Sequence, residues 1–183
     1  MILSERVKTG IKGLDELIEG GLPRGYSYLL LGGPGTGKTT FGAQYLYKGA
    51  TEFAENGMYV TFDEPPYSII SNMQRYGWNL TDEERQGRLG FVDVSPIKRE
   101  AKAGTFVPAA LQQSFLGAAK FNLDDVVSAI SEVKRKVDAK RCVIDSISAL
   151  TLQYKDNFEI RQQVLRLIKV LTEMDLTTIM LAE

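Results

Sequence analysis

The run Gly32-Gly33-Pro34-Gly35-Thr36-Gly37-Lys38-Thr39 decides how this chain folds. It matches G-x-x-x-x-G-K-S/T in full. Its surroundings also have the required order: the apolar residues 26–31 read as a strand before it, and residues 39–51 read as a helix after it. Glycines let a backbone curl around a phosphate where a side chain would clash. The N–H groups of the curl point inward, and the N-terminus of the following helix adds positive potential. Lys38 supplies a point charge for β- and γ-phosphates, and Thr39 a hydroxyl for Mg²⁺. The expected phosphate cradle is Gly33, Pro34, Gly35, Thr36, Gly37, Lys38, Thr39 and Thr40. The competing reading is a glycine-rich turn that carries Lys-Thr by coincidence, and the flanking strand and helix weigh against it.

Outward from the loop, short apolar runs alternate with longer amphipathic ones. Strands are expected over residues 58–62, 89–94, 142–144 and 177–181, and helices over 65–76, 123–137 and 158–174. Val126, Val127, Ile130 and Val133 recur at helical spacing, and Pro65 suits the first turn of its helix. Repeated strand–helix units imply an α/β fold, a mostly parallel central sheet with helices on both faces. The length suits one domain over residues 1–183. Two regions break the rhythm. Residues 95–120 lack periodicity and are punctuated by Gly104, Pro108 and Gly117, and connections that long are usually functional. The chain also stops at Glu183, at the carboxyl end of an apolar strand, which leads us to expect a core without its C-terminal strands.

Composition narrows the classes further. With a net charge of −1 there is no global basic excess for duplex DNA or an anionic membrane. Cys142 is the single cysteine, so no intrachain disulfide can form, and a reducing, cytoplasmic setting is expected. The N-terminus lacks the order of a signal peptide, and no apolar run approaches the roughly 18 residues of a membrane span. Without histidine, histidine general-base chemistry is excluded and a zinc site is disfavoured.

Hydrolysis needs carboxylates as well as a cradle. Asp145 follows the apolar run Cys142-Val143-Ile144, and the carboxyl end of a parallel strand faces the ligand crevice. There it could hold Mg²⁺ through water, or else cap the next helix with Ser146 and Ser148. Asp63 and Glu64 end the strand Met58-Tyr59-Val60-Thr61-Phe62. One of them could orient and deprotonate a water, or the pair could serve as a helix start ahead of Pro65. Both readings of the pair stay open on the residues alone.

The stretch Val7-Lys8-Thr9-Gly10-Ile11-Lys12-Gly13-Leu14-Asp15-Glu16-Leu17-Ile18-Glu19-Gly20-Gly21-Leu22-Pro23-Arg24-Gly25 leads directly into the loop. It resembles the KaiC-like branch of the RecA-superfamily ATPases, which includes RadA-type paralogues. The segments Tyr59-Val60-Thr61-Phe62-Asp63-Glu64-Pro65, Tyr76-Gly77-Trp78-Asn79-Leu80 and Arg141-Cys142-Val143-Ile144-Asp145-Ser146 fit the same branch, so the resemblance covers nearly the whole chain. It implies a RecA-like core using ATP and Mg²⁺, and a homo-oligomer, often a ring hexamer with ATP between subunits. Lys38 and Thr39 keep the phosphate and Mg²⁺ roles, and Asp145 is the second acidic element. The family's two adjacent glutamates are Asp63-Glu64 here, the first shorter by a methylene. The resemblance favours Glu64 as the catalytic base without separating it from Asp63. The family's trans-acting Lys and Arg and its second mobile loop come later than Glu183, so weak hydrolysis is expected of this length. A clock role or autokinase activity has no support in these residues.

Two further functions stand beside the ATPase. One is an ATP-dependent DNA-binding recombination accessory protein of the RadA-paralogue kind. Lys98, Arg99, Lys102, Phe106 and Phe115 interleave basic and aromatic residues as single-strand binders do, although Phe106 and Leu111 suit an oligomer interface equally well. The other is a nucleotide-gated assembly with little turnover. Lys134-Arg135-Lys136 and Lys140-Arg141 read as a solvated helix end rather than a nucleic-acid footprint, and Trp78 as core packing rather than a stacking platform.

Overall fold

The computed structural model describes residues 5–94, 123–148 and 156–183. Residues 95–120, with their basic and aromatic positions, lie outside the described residues. The elements, in chain order, are β1 (Arg6–Val7), α1 (Leu14–Leu17), β2 (Leu22–Pro23), β3 (Ser27–Leu31), α2 (Lys38–Glu52), β4 (Gly57–Thr61), α3 (Pro66–Gln74), α4 (Leu80–Arg85), β5 (Leu89–Asp93), α5 (Leu123–Val137), β6 (Arg141–Asp145), α6 (Asn157–Glu173) and β7 (Thr177–Ala182).

Five strands form one parallel sheet in the order β3-β7-β6-β4-β5. Alternation along β4, β5, β6 and β7 divides the apolar residues between two layers, while Leu29 and Leu31 of the edge strand β3 are exposed. Met58, Val60, Val92, Ile144 and Met180 face α5 and α6, where they meet Val126, Ile130, Leu167 and Leu171. Tyr59, Phe91, Val143, Ile179 and Leu181 face α2, α3 and α4, where they meet Ala43, Leu46, Ile69 and Leu80. Strands covered on both faces read as continuous apolar runs, which is why the sequence shows no polar alternation in them. This is the α/β architecture expected, with helices on both faces.

Four small elements had no clear signal in the sequence. The pair β1–β2 is antiparallel and only two residues long on each side. The turn α1 is a clip: Asp15 accepts from Thr9 N and Thr9 Oγ1, each at 2.7 Å, and from Gly10 N at 3.2 Å. Gln44 Nε2 of α2 donates to Gly10 O at 3.2 Å, so the glycine-rich lead-in is tied to the helix after the loop. The helix α4 is capped by Asn79, whose side chain accepts from Asp82 N. The helix expected over 65–76 is shorter and starts one residue later. Pro65 is extended at the cap position and Pro66 takes the first turn, where a missing N–H costs nothing.

The basic cluster also divides differently from expectation. Lys134, Arg135 and Lys136 lie in the last turn of α5, but Arg141 is 1% exposed and belongs to the core. Its Nε donates to Glu55 Oε2 at 2.7 Å and its NH1 to Tyr45 O at 3.0 Å, with the guanidinium over the Tyr45 and Phe53 rings. Gly49 is what admits it: a Cβ there would stand 2.6 Å from Arg141 Cδ. Arg24 also pairs with Glu55. Burial pushes the Glu55 carboxyl up, but the hydrogen bonds and charges of Arg24 and Arg141 outweigh it and leave the group below its ordinary 4.5.

Arg141→Ala strips a buried charge pair of one partner and is expected to cost about 3 kcal/mol. In a domain of this size that lowers the melting temperature by roughly 6–12 °C. Because the folded value of Glu55 is depressed, its contribution is present above pH ~4.5 and fades as pH falls through the folded value. The stability difference between parent and variant should therefore shrink in acid, as thermal melts from pH 7 to 3 would show. An equal difference at both ends would sink this account.

Candidate functional site

At the carboxyl ends of β3, β4, β6 and β7 lies a cleft of about 780 Å³. An open parallel sheet presents its ligand crevice at this edge. Residues 34–40 line the cleft with Asp63, Glu64, Asp145, Ser146, Ser148 and Glu183. The structure thus brings together the loop and all three carboxylates singled out in the sequence.

The loop's shape follows from its glycines. Gly37 precedes α2 with φ 89°, a conformation that L side chains rarely adopt. This lets β3 turn sharply into the helix, whose first-turn amides have no intrahelical partners. Thr36 Oγ1 donates to Gly33 O at 2.8 Å and stiffens the turn. Lys38 curls back over it: Nζ donates to Gly32 O at 2.6 Å and Gly33 O at 2.9 Å, and lies 3.4 Å from Glu183 Oε1. Gly33 thus touches the site through its carbonyl.

Thr39 and Asp145 meet directly. Thr39 Oγ1 donates to Asp145 Oδ2 at 2.8 Å, and the Tyr59 hydroxyl donates to the same oxygen at 2.6 Å. The Asp145 carboxylate is therefore turned toward α2 and β4 rather than spent as a helix cap; the Asp145–Ser146 peptide beside it is cis. Burial, followed by the Asp145 charge, holds the Tyr59 phenol well above its ordinary range, so it remains a donor. A hydroxyl and a carboxylate are hard oxygen donors, the set that Mg²⁺ takes. Among the described residues no group of three or more His, Cys, Asp or Glu could hold a metal alone. Mg²⁺ commonly keeps waters and substrate phosphates and takes only one or two protein oxygens. Thr39 and Asp145 thus suit this ion.

Asp63 and Glu64 differ in their surroundings. Neither caps α3, whose cap residue Pro65 has no side-chain cap bond. Asp63 Oδ2 accepts from Ser146 Oγ at 2.9 Å, which ties it to the turn after β6. The Glu64 carboxylate is exposed at the cleft and has no hydrogen-bonding or ionic partner among the described residues. Trp78 stacks on Tyr76 at 5.0 Å and on Tyr47 at 6.1 Å and packs against the second core layer, as expected of a packing residue.

Two site residues escaped the sequence reading. Tyr59 looked like one apolar residue in an apolar strand. Its signal was parity: Thr61 pairs in register with Asp145, so Tyr59, two residues earlier, shares that face. Glu183 directly follows β7, and the pairing of β7 with β3 brings it to Lys38.

A family model described as ATPase: KaiC matches residues 7–183. The chain belongs to the KaiC ATPase family. It is 38% identical over 179 residues to the circadian clock oscillator protein KaiC of Parasynechococcus marenigrum, which covers 98% of this chain and 32% of that protein. It is 34% identical to the circadian clock protein KaiC3 of Synechocystis, with 98% and 33% covered. Among solved structures, a KaiC-like protein from the hyperthermophilic archaeon Pyrococcus horikoshii OT3 superposes with a TM-score of 0.79 at 39% identity, covering 98% of this chain and 71% of that one. The chain spans about a third of the length of the curated KaiC relatives it matches. Membership in this family supports an ATP-binding, ATPase-type function on a RecA-like fold. No helix among the described residues is long and apolar enough to cross a membrane.

Proposed function

We propose that this KaiC-family chain binds ATP together with Mg²⁺ and hydrolyses it by attack of water on the γ-phosphate. The observation that carries the reading is the convergence of Lys38, Thr39, Asp145 and Glu64 on one cleft, with Thr39 bonded to Asp145. In this reading the amides of residues 33–40 and the ammonium of Lys38 hold the β- and γ-phosphates. Lys38 exchanges its contacts with the Gly32 and Gly33 carbonyls for phosphate oxygens. Thr39 and Asp145 would hold Mg²⁺, which when bound offsets charge on the β- and γ-phosphate oxygens. Glu64 accepts the proton of the attacking water, and Asp63, held by Ser146, shapes the wall beside it. The free carboxylate of Glu64 supports it as the base over its neighbour. The same family supports assembly into a homo-oligomer, with ATP at the joint between copies.

The test is phosphate release from ATP by the purified chain. With Mg²⁺ present, turnover should scale with enzyme; with excess EDTA it should fall at least about a hundredfold and return when Mg²⁺ is restored. Tight ATP binding with no turnover in either condition would replace the ATPase with a nucleotide-gated assembly.

A further inference from the structure

We infer that Tyr59 is a positioning residue for the carboxylate on the Mg²⁺ side of the cleft: its buried hydroxyl holds Asp145 in the orientation that Thr39 meets. The inference rests on the reading of Thr39 and Asp145 given above. Tyr59 sits in the middle of β4, 1% exposed. Its ring stacks on Phe91 at 6.2 Å, so it is fixed by packing before any ligand arrives. The register Thr61↔Asp145 puts Tyr59 on the diagonal to Asp145, a separation that an aromatic side chain can span. A phenylalanine would fill the same volume and donate nothing.

The donors divide the carboxylate unequally. Tyr59 and Thr39 both bond to Oδ2, at 2.6 and 2.8 Å. Oδ1 is left as the oxygen without a hydrogen bond among the described residues, on a side chain that lines the cleft. The terminal torsion of Asp is broad. Without the phenol, Thr39 alone orients it, and Thr39 must at the same time offer its oxygen to the ion. Outer partners that aim a metal-binding carboxylate are typically worth 10- to 100-fold in metal affinity. The hydroxyl of Tyr59 is therefore a lever on Mg²⁺ affinity that leaves the phosphate cradle untouched.

The test is a Mg²⁺ titration of the full chain with a fluorescent ATP analogue, for the parent, Tyr59→Phe, Asp145→Asn and the double variant. Tyr59→Phe should raise the half-saturating Mg²⁺ concentration about tenfold or more, with nucleotide affinity in EDTA unchanged. The double variant should titrate like Asp145→Asn alone, because Tyr59 acts through that carboxylate. A parental Mg²⁺ midpoint in Tyr59→Phe, with Asp145→Asn shifted, overturns the inference alone; a lowered melting temperature beside that unmoved midpoint assigns Tyr59 to packing. If Asp145→Asn also titrates like the parent, the reading of the metal side fails and the inference falls with it.

Discussion

Lys38→Ala should deprive this chain of tight ATP binding, raising the dissociation constant roughly 30- to 1000-fold. The ammonium is curled over the Gly32 and Gly33 carbonyls, with only 12% of the side chain exposed. Hydrogen bonds to charged partners contribute about 1.5–3 kcal/mol each, so two lost together amount to about 3–6 kcal/mol, of which about 2–4 kcal/mol is the net loss. Part of the loss is offset, because Lys38 must leave those carbonyls and the Glu183 carboxylate before it meets phosphate. Calorimetric titration with ATP measures the effect, and a thermal melt shows whether the variant is folded. A folded Lys38→Ala protein that binds ATP like the parent would falsify the assignment of the cradle.

Glu64→Gln separates binding from chemistry. The amide keeps the size of the side chain but cannot take a proton, and general-base catalysis is commonly worth 10²- to 10⁴-fold. Turnover should fall by about that factor while the ATP dissociation constant stays within about twofold. Asp63→Asn is the control. Its carboxylate accepts from Ser146 Oγ, so the expected loss is smaller and arises from a loosened turn after β6. If instead Asp63→Asn stops turnover and Glu64→Gln does not, the base is Asp63, and the bond to Ser146 orients it rather than occupies it. The single methylene between the two side chains matters because proton transfer tolerates only a few tenths of an ångström around about 3 Å.

Much of this was legible in the residues. The loop at 32–39 carries its own local geometry, since Gly37 and its neighbours are needed wherever such a turn is made. The apolar runs at 58–62, 142–144 and 177–181 marked strands to within one or two residues, because burial on both faces leaves an unbroken apolar signature. Boundaries slipped where chemistry was ambiguous. In Pro65-Pro66 either proline could begin a helix, and the extended Pro65 backbone gives the first turn to Pro66. Arg141 was misread because charge in a sequence signals solvent by default. Its burial depends on Glu55, Tyr45 and the missing side chain of Gly49, three partners on a different element or loop.

Local pattern therefore specified the strand–loop–helix unit, the α/β class and the identities of the acidic residues, because each is written in neighbouring positions. It did not specify which oxygen meets which donor. That depends on strand order and register: β7 between β3 and β6 brings Glu183 to Lys38, and β4 beside β6 brings Tyr59 to Asp145. Such contacts join residues 86 and 145 positions apart, and no local propensity encodes them. They exist because the sheet pairs its strands in one order, and hydrogen bonds reach only about 3 Å.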